Sequence, residues 1–159
     1  MDETRAAELE QRLAMLEDES ALTRLLDEYV GHWDHKRWGG MAALLTEDAE
    51  LRSAWSTIRG RESILSEVGE TLDAVPVLYH LLTNLTVRVD GDEAEGTSSL
   101  LEVHLGRAGD PRSVDSMFGG RYLWRFVRSE GLWRIAVIDY ELVWSSGPNT
   151  LGVFSPTAS

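Results

Sequence analysis

The stretch that decides the fold is His80-Leu81-Leu82-Thr83-Asn84-Leu85-Thr86-Val87-Arg88-Val89-Asp90-Gly91-Asp92-Glu93-Ala94. An apolar run rich in branched side chains leads into Asp-Gly, the dipeptide that suits the positive-φ positions of a tight hairpin turn. The reading is a strand over residues 78–89, a turn at Asp90-Gly91-Asp92 and a partner strand over residues 94–107. Beyond it, residues 106–111 read as a turn and residues 113–128 as a third long strand. Gly119-Gly120 inside that strand marks a bulge or bend. Ser129-Glu130-Gly131 is a further turn, and residues 132–144 give the last strand.

Upstream of the hairpin the period changes from two to about 3.6. Leu22, Leu25, Leu26, Tyr29, Val30 and Trp33 recur at three- and four-residue spacing, which predicts a helix up to about residue 34. Residues 2–19 are charged and read as an arm extending past the core, with Ser20 a candidate cap for a second start. Residues 37–45 read as a short helix with Trp38, Met41, Ala42 and Leu45 on one face. Thr46-Glu47-Asp48 ends it, residues 49–58 read as a strand, and Gly60 breaks the pattern. Residues 61–72 form a third helix, with Ile64, Leu65, Val68 and Leu72 on one face. Helices followed by hairpin-linked strands make an α+β layout. A sheet that curls over three helices of the N-terminal half becomes a cone with one open end, where a pocket forms. The division is a helical extension (1–18), one domain (19–145) and a tail (146–159).

Composition narrows the function. The 159 residues carry a net charge of -12, with 43% hydrophobic and 26% charged residues. An acidic surface repels nucleic acid and anionic membranes, so neither is an expected partner. The chain has no cysteine, which removes disulfide and thiolate chemistry. It has no run of ~20 apolar residues, and its start, Met1-Asp2-Glu3, is unlike a basic signal segment. A cytoplasmic protein is expected. No glycine-rich phosphate loop or serine elbow is present, and no cofactor is expected.

The titratable groups gather in two places. Tyr29-Val30-Gly31-His32-Trp33-Asp34-His35-Lys36-Arg37-Trp38 packs an acid, two histidines and two tryptophans into one helix end. His80 begins the first long strand and His104 lies near the end of its partner. Counted from the Asp90-Gly91 turn, the two have the same parity and share a face; a bulge would undo this. A carboxylate bonded to one ring nitrogen of a histidine fixes its tautomer and raises its basicity, leaving the other nitrogen to move a proton next to a carbonyl. Asp34 and His80 could form such a pair. Equally, Asp34 could cap the following helix while His80 is a satisfied core histidine. His32 and His35 are three apart, a spacing that suits a helix-borne metal pair. No third ligand is placed by spacing, so a surface pair is the simpler reading and no metal is expected. Arg121 and Arg125 would share one strand face, with Arg128 opposite, where surface acids can pair with them. Trp33, Trp55, Trp124 and Trp144 serve equally as pocket wall or core filling.

Several of these stretches occur together in one known family. The helix Leu22-Thr23-Arg24-Leu25-Leu26-Asp27-Glu28-Tyr29 ends in Trp33-Asp34. Gly60-Arg61-Glu62-Ser63-Ile64, His80-Leu81-Leu82-Thr83-Asn84, Val89-Asp90-Gly91-Asp92-Glu93-Ala94, Gly119-Gly120-Arg121-Tyr122 and Gly131-Leu132-Trp133-Arg134-Ile135 follow in order. In this series the chain resembles the SnoaL-like branch of the nuclear transport factor 2-like superfamily, the group that includes scytalone dehydratase, over about residues 19–144. The resemblance implies a cone-shaped, curved mixed sheet closed by helices, an α+β barrel. It implies a cofactor-independent lyase of dehydratase type, or an isomerase, acting on a small hydrophobic polyketide-, steroid- or terpenoid-like molecule. Asp34 and His80 match the family's catalytic dyad and His104 its second pocket histidine; Tyr29, Trp33, Trp55, Tyr122, Trp124 and Asp139 are the candidate substrate-binding residues. A homo-oligomer, dimer or trimer, is also implied. Departures are equally plain. Trp33 stands where scytalone dehydratase has a tyrosine, Gly120 and Tyr122 stand near its polar serine and asparagine, and Ile138, with Asp139 next, replaces an arginine of several relatives. Substrate identity therefore does not carry over. The alternative is a non-catalytic small-molecule-binding or assembly module, or the small subunit of an oxygenase.

Overall fold

The computed structural model describes residues 3–106, 109, 110 and 112–148. Parts of the expected 106–111 turn and most of the 146–159 tail lie outside them. Three helices, α1 (Glu3–Asp34), α2 (Trp38–Leu44) and α3 (Arg61–Asp73), pack with six strands: β1 (Leu45–Ser53), β2 (Thr57–Arg59), β3 (Val77–Asp90), β4 (Glu93–Leu105), β5 (Val114–Ser129) and β6 (Leu132–Ser146). The sheet runs in the order β2-β1-β6-β5-β4-β3. Among the described residues only the β1–β6 pair is parallel. The fold is α+β, a curved mixed sheet that stays open, with β2 and β3 as its unpaired ends.

Helix α1 is continuous past Ser20, because the stripe Leu22, Leu25, Leu26, Tyr29 and Trp33 buries on the sheet and holds its second half straight. Its first turns are mostly exposed, including Leu9, Leu13 and Leu16. Asp18 is the anchor between the two parts: it accepts from Arg128 Nη1 at 2.5 Å and from Trp133 Nε1 at 3.0 Å. At the other end the helix stops where Lys36 turns to φ 53. Lys36 Nζ then donates to the carbonyls of Val75 (2.6 Å) and Asp73 (3.1 Å). That tie fastens the end of α1 to the chain entering β3, and so sets Asp34 beside that strand.

Two local expectations change. Residues Thr46-Glu47-Asp48 lie within β1 rather than ending a helix: Leu45 and Ala49 are fully buried, and Leu45 pairs with Ile135 of β6. The single strand expected over 49–58 folds back on itself, with Ser53 N–H donating to Ser56 O at 2.9 Å. This reversal carries Trp55 to the open end of the cone.

Of the five register shifts in the described ladders, three decide which side chains face inward around the site. In the β3–β4 ladder, Thr86 pairs with Thr97 but Thr83 pairs with Ser99. Asn84 and Leu85 therefore oppose Ser98 alone, with Asn84 at φ 55, a conformation that Asn tolerates better than most residues. Because side chains alternate with period two, the extra residue exchanges the faces of β3. Without it, His80 would oppose Val103 and turn away from His104. The expectation that a bulge would separate the two histidines is thus reversed: the bulge is what brings them to one face. A second irregularity lies where Arg125 pairs with Val137 and Phe126 with Ile135. Ala136 is the extra residue there, so Trp133 and Ile135 bury before it and Ile138 and Tyr140 after it. At the third, Gly119 pairs with Trp144 and Gly120 with Leu142, leaving Val143 as the extra residue; the bend expected at Gly119-Gly120 is realised on β6. The core comprises the α1 stripe with Met41, Leu45, Ile64, Leu72, Leu78, Leu100, Trp124, Phe126, Ile135 and Ile138.

Candidate active site

Asp34 is the last residue of α1 and His80 the fourth of β3. His80 Nδ1 lies 2.6 Å from Asp34 Oδ1, and the His80 backbone N–H donates to the same carboxylate at 3.0 and 3.3 Å. β3 is a sheet edge, so the carboxylate also satisfies an amide on the open side of the strand. Directly across the ladder from His80 stands Glu102. Its Oε2 is 3.6 Å from His80 Nε2, and its Oε1 is 2.6 Å from His104 Nε2. The four groups form a row, Asp34–His80–Glu102–His104, in which Asp34 is half-buried and His80, Glu102 and His104 are 7%, 3% and 2% exposed.

Charge and burial compete in this row. Burial alone would lower the His80 pKa. The charge of Glu102, with the Asp34 bond and charge, overrides it and pushes the group up to about 9. Burial alone would raise Glu102; His80 and His104 instead hold it down at about 2. At neutral pH the centre is an imidazolium between two carboxylates, with Asp34 on Nδ1 and a wider gap at Nε2. At 3.6 Å that gap exceeds a good hydrogen bond, so Nε2 is where a substrate atom can compete.

A cavity of about 120 Å³ opens on this row. It is lined by Tyr29, Trp33, Leu51, Trp55, Ile58, Val68, Leu72, His80, Glu102, Tyr122 and Tyr140, with Arg52, Ser53 and Ser56 completing the wall. Its walls are aliphatic and aromatic, and its polar groups converge around His80. Burial raises the hydroxyl pKa of Tyr29, Tyr122 and Tyr140, in each case reinforced by the charge of Glu102. The three phenols therefore stay neutral, able to donate hydrogen bonds toward a developing oxyanion. Arg52 is neutralised by Glu50 at 2.6 Å.

The expected site residues separate into two groups. Asp34 meets His80, and Tyr29, Trp33, Trp55 and Tyr122 line the cavity. Trp124 sits one layer behind, its indole donating to Ser98 Oγ at 3.0 Å and its ring 4.6 Å from that of Tyr122. His104 is also behind the wall, where it orients Glu102 rather than facing the cavity. Asp139 lies on the opposite face, in a shallow groove with Arg52, Arg88, Glu95 and Arg125, because the Ala136 bulge turns Tyr140 inward in its place. Trp144 is likewise outside, lying over Gly119. Glu102 was not singled out by the sequence reading. A usable signal was present in Glu102-Val103-His104, since two titratable residues two apart on a strand share a face.

The remaining candidates are held elsewhere. His35 Nδ1 bonds the carbonyl of Gly31 at 2.9 Å, and His32 Nδ1 accepts from Arg37 Nε at 3.2 Å. Among the described residues no group of three or more His, Asp or Glu is arranged to hold a metal ion. Arg121 pairs with Glu141 at 3.1 Å, and Arg128 is taken by Asp18 and Asp92. No described helix is long and apolar enough to cross a membrane.

Known proteins share this architecture. An uncharacterized protein of Mycobacterium tuberculosis is 32% identical over 128 residues, covering 77% of this chain and 84% of the relative. Among solved structures, a Novosphingobium aromaticivorans protein provisionally assigned as a scytalone dehydratase superposes with a TM-score of 0.75 at 22% identity, over 85% of this chain and 90% of that one. A hexachlorocyclohexane dehydrochlorinase, LinA type 2, gives 0.74 at 18% identity, over 87% and 94%. A Mycobacterium tuberculosis protein of unknown function gives 0.69 at 28% identity, over 84% and 74%. The model of the SnoaL-like domain matches residues 14–139, and the chain belongs to that family.

Proposed function

We propose that the protein is a cytoplasmic, oligomeric, cofactor-independent lyase of dehydratase type, or an isomerase, that acts on a small hydrophobic molecule by His–Asp general acid–base catalysis. The observation that carries this reading is the 2.6 Å Asp34–His80 pair at the floor of an apolar cavity. The names of two structural neighbours, a dehydratase and a dehydrochlorinase, point the same way.

Asp34 holds the proton on Nδ1, so Nε2 is the working atom of His80. Neutral His80 removes a proton from a carbon beside a carbonyl, and the C–H electron pair becomes the new double bond. The departing hydroxyl takes the proton back from Nε2 and leaves as water. In an isomerisation the same proton returns to a different carbon. Tyr122, helped by Tyr29 or Tyr140, donates to the enolate oxygen while it carries charge. Glu102 keeps the resting proton on His80: with a pKa of about 9, roughly 1% of the histidine is free base at pH 7. The base form therefore grows as pH rises through 9.

At about 120 Å³ the cavity is smaller than the ~300–1,000 Å³ of a pocket for an extended ligand. Within the polyketide-, steroid- or terpenoid-like range, this favours a compact one-ring or short branched molecule. The same small volume, with the mostly protonated resting histidine, supports the second reading of a binding module without turnover. A panel of small β-hydroxy and β-halo ketones, followed by the absorbance of the conjugated product, tests the first. Turnover that disappears in both His80→Ala and Asp34→Asn supports the enzyme. Turnover unchanged in either variant refutes it, and tight binding without product supports the module.

A further inference from the structure

Just past Asp34 the backbone takes a turn that usually belongs to glycine. Arg37 N–H bonds the carbonyl of His32 at 2.9 Å and Lys36 N–H bonds that of Trp33 at 3.0 Å. These are the paired bonds of a Schellman helix ending, with Lys36 at its left-handed position, φ 53. Glycine is favoured there because any Cβ crowds the backbone. The other described non-glycine residues with positive φ are Asn84, a type that tolerates it, and Glu130, beside Gly131 in a hairpin turn. Neither reason applies to Lys36. It is also the only lysine of a chain whose other long cationic side chains are all arginine. What lysine brings to this position, and glycine lacks, is an ammonium.

That ammonium is fully engaged. Lys36 Nζ donates to the carbonyl of Val75 at 2.6 Å and to that of Asp73, the last residue of α3, at 3.1 Å. The end of a helix leaves carbonyls unpaired and partly negative, and a cation offsets both. A compact ammonium with three donors can meet two converging carbonyls, where a planar guanidinium fits less well. Three elements therefore meet at one nitrogen. α1 brings Asp34, and α3 brings Val68 and Leu72, which wall the cavity. Val75, fully buried, leads into β3 and so to His80. Because β3 is a sheet edge whose one strand neighbour is β4, its place along α1 depends on contacts of this kind.

We propose that Lys36 is a positioning residue of the site: its ammonium locks the end of α1 to the end of α3 and the entry of β3, and this lock keeps the Asp34 carboxylate in register with His80. The proposal rests on the acid–base role of the Asp34–His80 pair. Asp34 meets His80 twice, at Nδ1 (2.6 Å) and at the backbone N–H (3.0 Å). A slide of β3 along α1 loosens both bonds together. Without the ammonium, the carbonyls of Asp73 and Val75 turn to water and nothing from Lys36 resists that slide. Misplacing such a pair by about 1 Å costs on the order of a hundredfold in rate. The aromatic side chains that would hold a substrate are packed independently of Lys36, so the loss falls on kcat and not on KM.

The absence of cysteine from the chain allows the ammonium to be removed and put back in the full-length protein. Lys36→Cys removes it; bromoethylamine on the new thiol restores an ammonium at lysine's reach, and iodoacetamide adds a neutral cap instead. Two readouts are followed well below the thermal midpoint of each protein: the His80 titration by NMR, and turnover of the best β-hydroxy ketone of the panel. In Lys36→Cys the His80 pKa should move down from about 9, because the Asp34 bond and charge help to hold it up. In the same variant kcat should fall about tenfold to a hundredfold, with KM within about threefold. The aminoethylated protein should recover both and the neutral cap neither. Should Lys36→Cys fail to fold, Lys36→Gly removes the ammonium while relieving the left-handed backbone. A role in the turn alone predicts that this variant keeps the wild-type His80 titration, and that result overturns the proposal. Equal recovery with the neutral cap overturns it as well. If the wild-type protein turns over no ketone, the acid–base reading of the site fails, and the NMR titration alone still decides whether Lys36 positions the pair.

Discussion

The protein has two pairs of histidines, and they differ in almost everything but residue type. His32 and His35 lie at the end of α1, bonded to groups on their own stretch of chain, Arg37 and Gly31. His80 and His104 are buried in the sheet around Glu102, and His80 is held by Asp34 from 46 residues away. The first pair is local and wet; the second is assembled from three elements and dry. Against the lowering effect of burial, a carboxylate on each side moves the His80 pKa up to about 9. A histidine becomes a poised proton carrier through what tertiary structure sets beside it, and short sequence spacing does not supply that.

The strongest way to break the comparison is to remove the long-range partner. His80→Ala and Asp34→Asn should each lower kcat/KM for a true substrate by about 10²–10⁴-fold, the usual share of a positioned acid–base group, measured by steady-state kinetics. Next is Glu102. Glu102→Ala leaves two buried histidines without their shared carboxylate and should cost about 3 kcal/mol or more in a denaturant titration. The milder Glu102→Gln sharpens the point: with one carboxylate gone, the His80 limb of the pH–rate profile should move down from about 9.

The pH dependence of stability follows from the same row. His80 titrates near 9 in the fold against an ordinary 6.5, so its contribution is complete below 6.5 and lost as pH rises through 9. Glu102 titrates near 2 against 4.5, so its contribution is complete above 4.5 and lost as pH falls toward 2. Both describe one coupled ion pair and are not to be added. The thermal midpoint, read by calorimetry, should peak between about pH 4.5 and 6.5 and fall on both sides.

Two smaller effects separate bulge from spacing. Asn84→Val forces a β-branched residue into positive φ and should cost about 1–3 kcal/mol, while Asn84→Gly should be nearly neutral; chemical denaturation distinguishes them. Smallest of all, His35→Ala should change stability by less than about 0.5 kcal/mol and leave the pH–rate profile in place.

Period and turn chemistry made the chain legible as three helices followed by hairpin strands, and the ends of most elements fall within a residue or two of the expected places. Local pattern fixes those features, because a 3.6-residue stripe or an Asp-Gly turn needs no distant partner. The residues themselves offered Asp34 and His80 as a possible pair, and the family resemblance matched them to a catalytic dyad. The partners of that pair required tertiary structure. Parity along a strand holds only while the ladder is regular, and three of the five register shifts in the described ladders break it around the site. The one at Asn84 sets His80 opposite Glu102 and on the face of His104; the one at Ala136 turns Asp139 outward and Tyr140 inward; the one at Val143 sends Trp144 to the back of the sheet. A single inserted residue exchanges every side chain beyond it between cavity and exterior, and its position is set by how β3 to β6 pair and curl around α1. Sequence by itself determined the elements and named an acid and a base. The register of the folded sheet decided which side chains surround them.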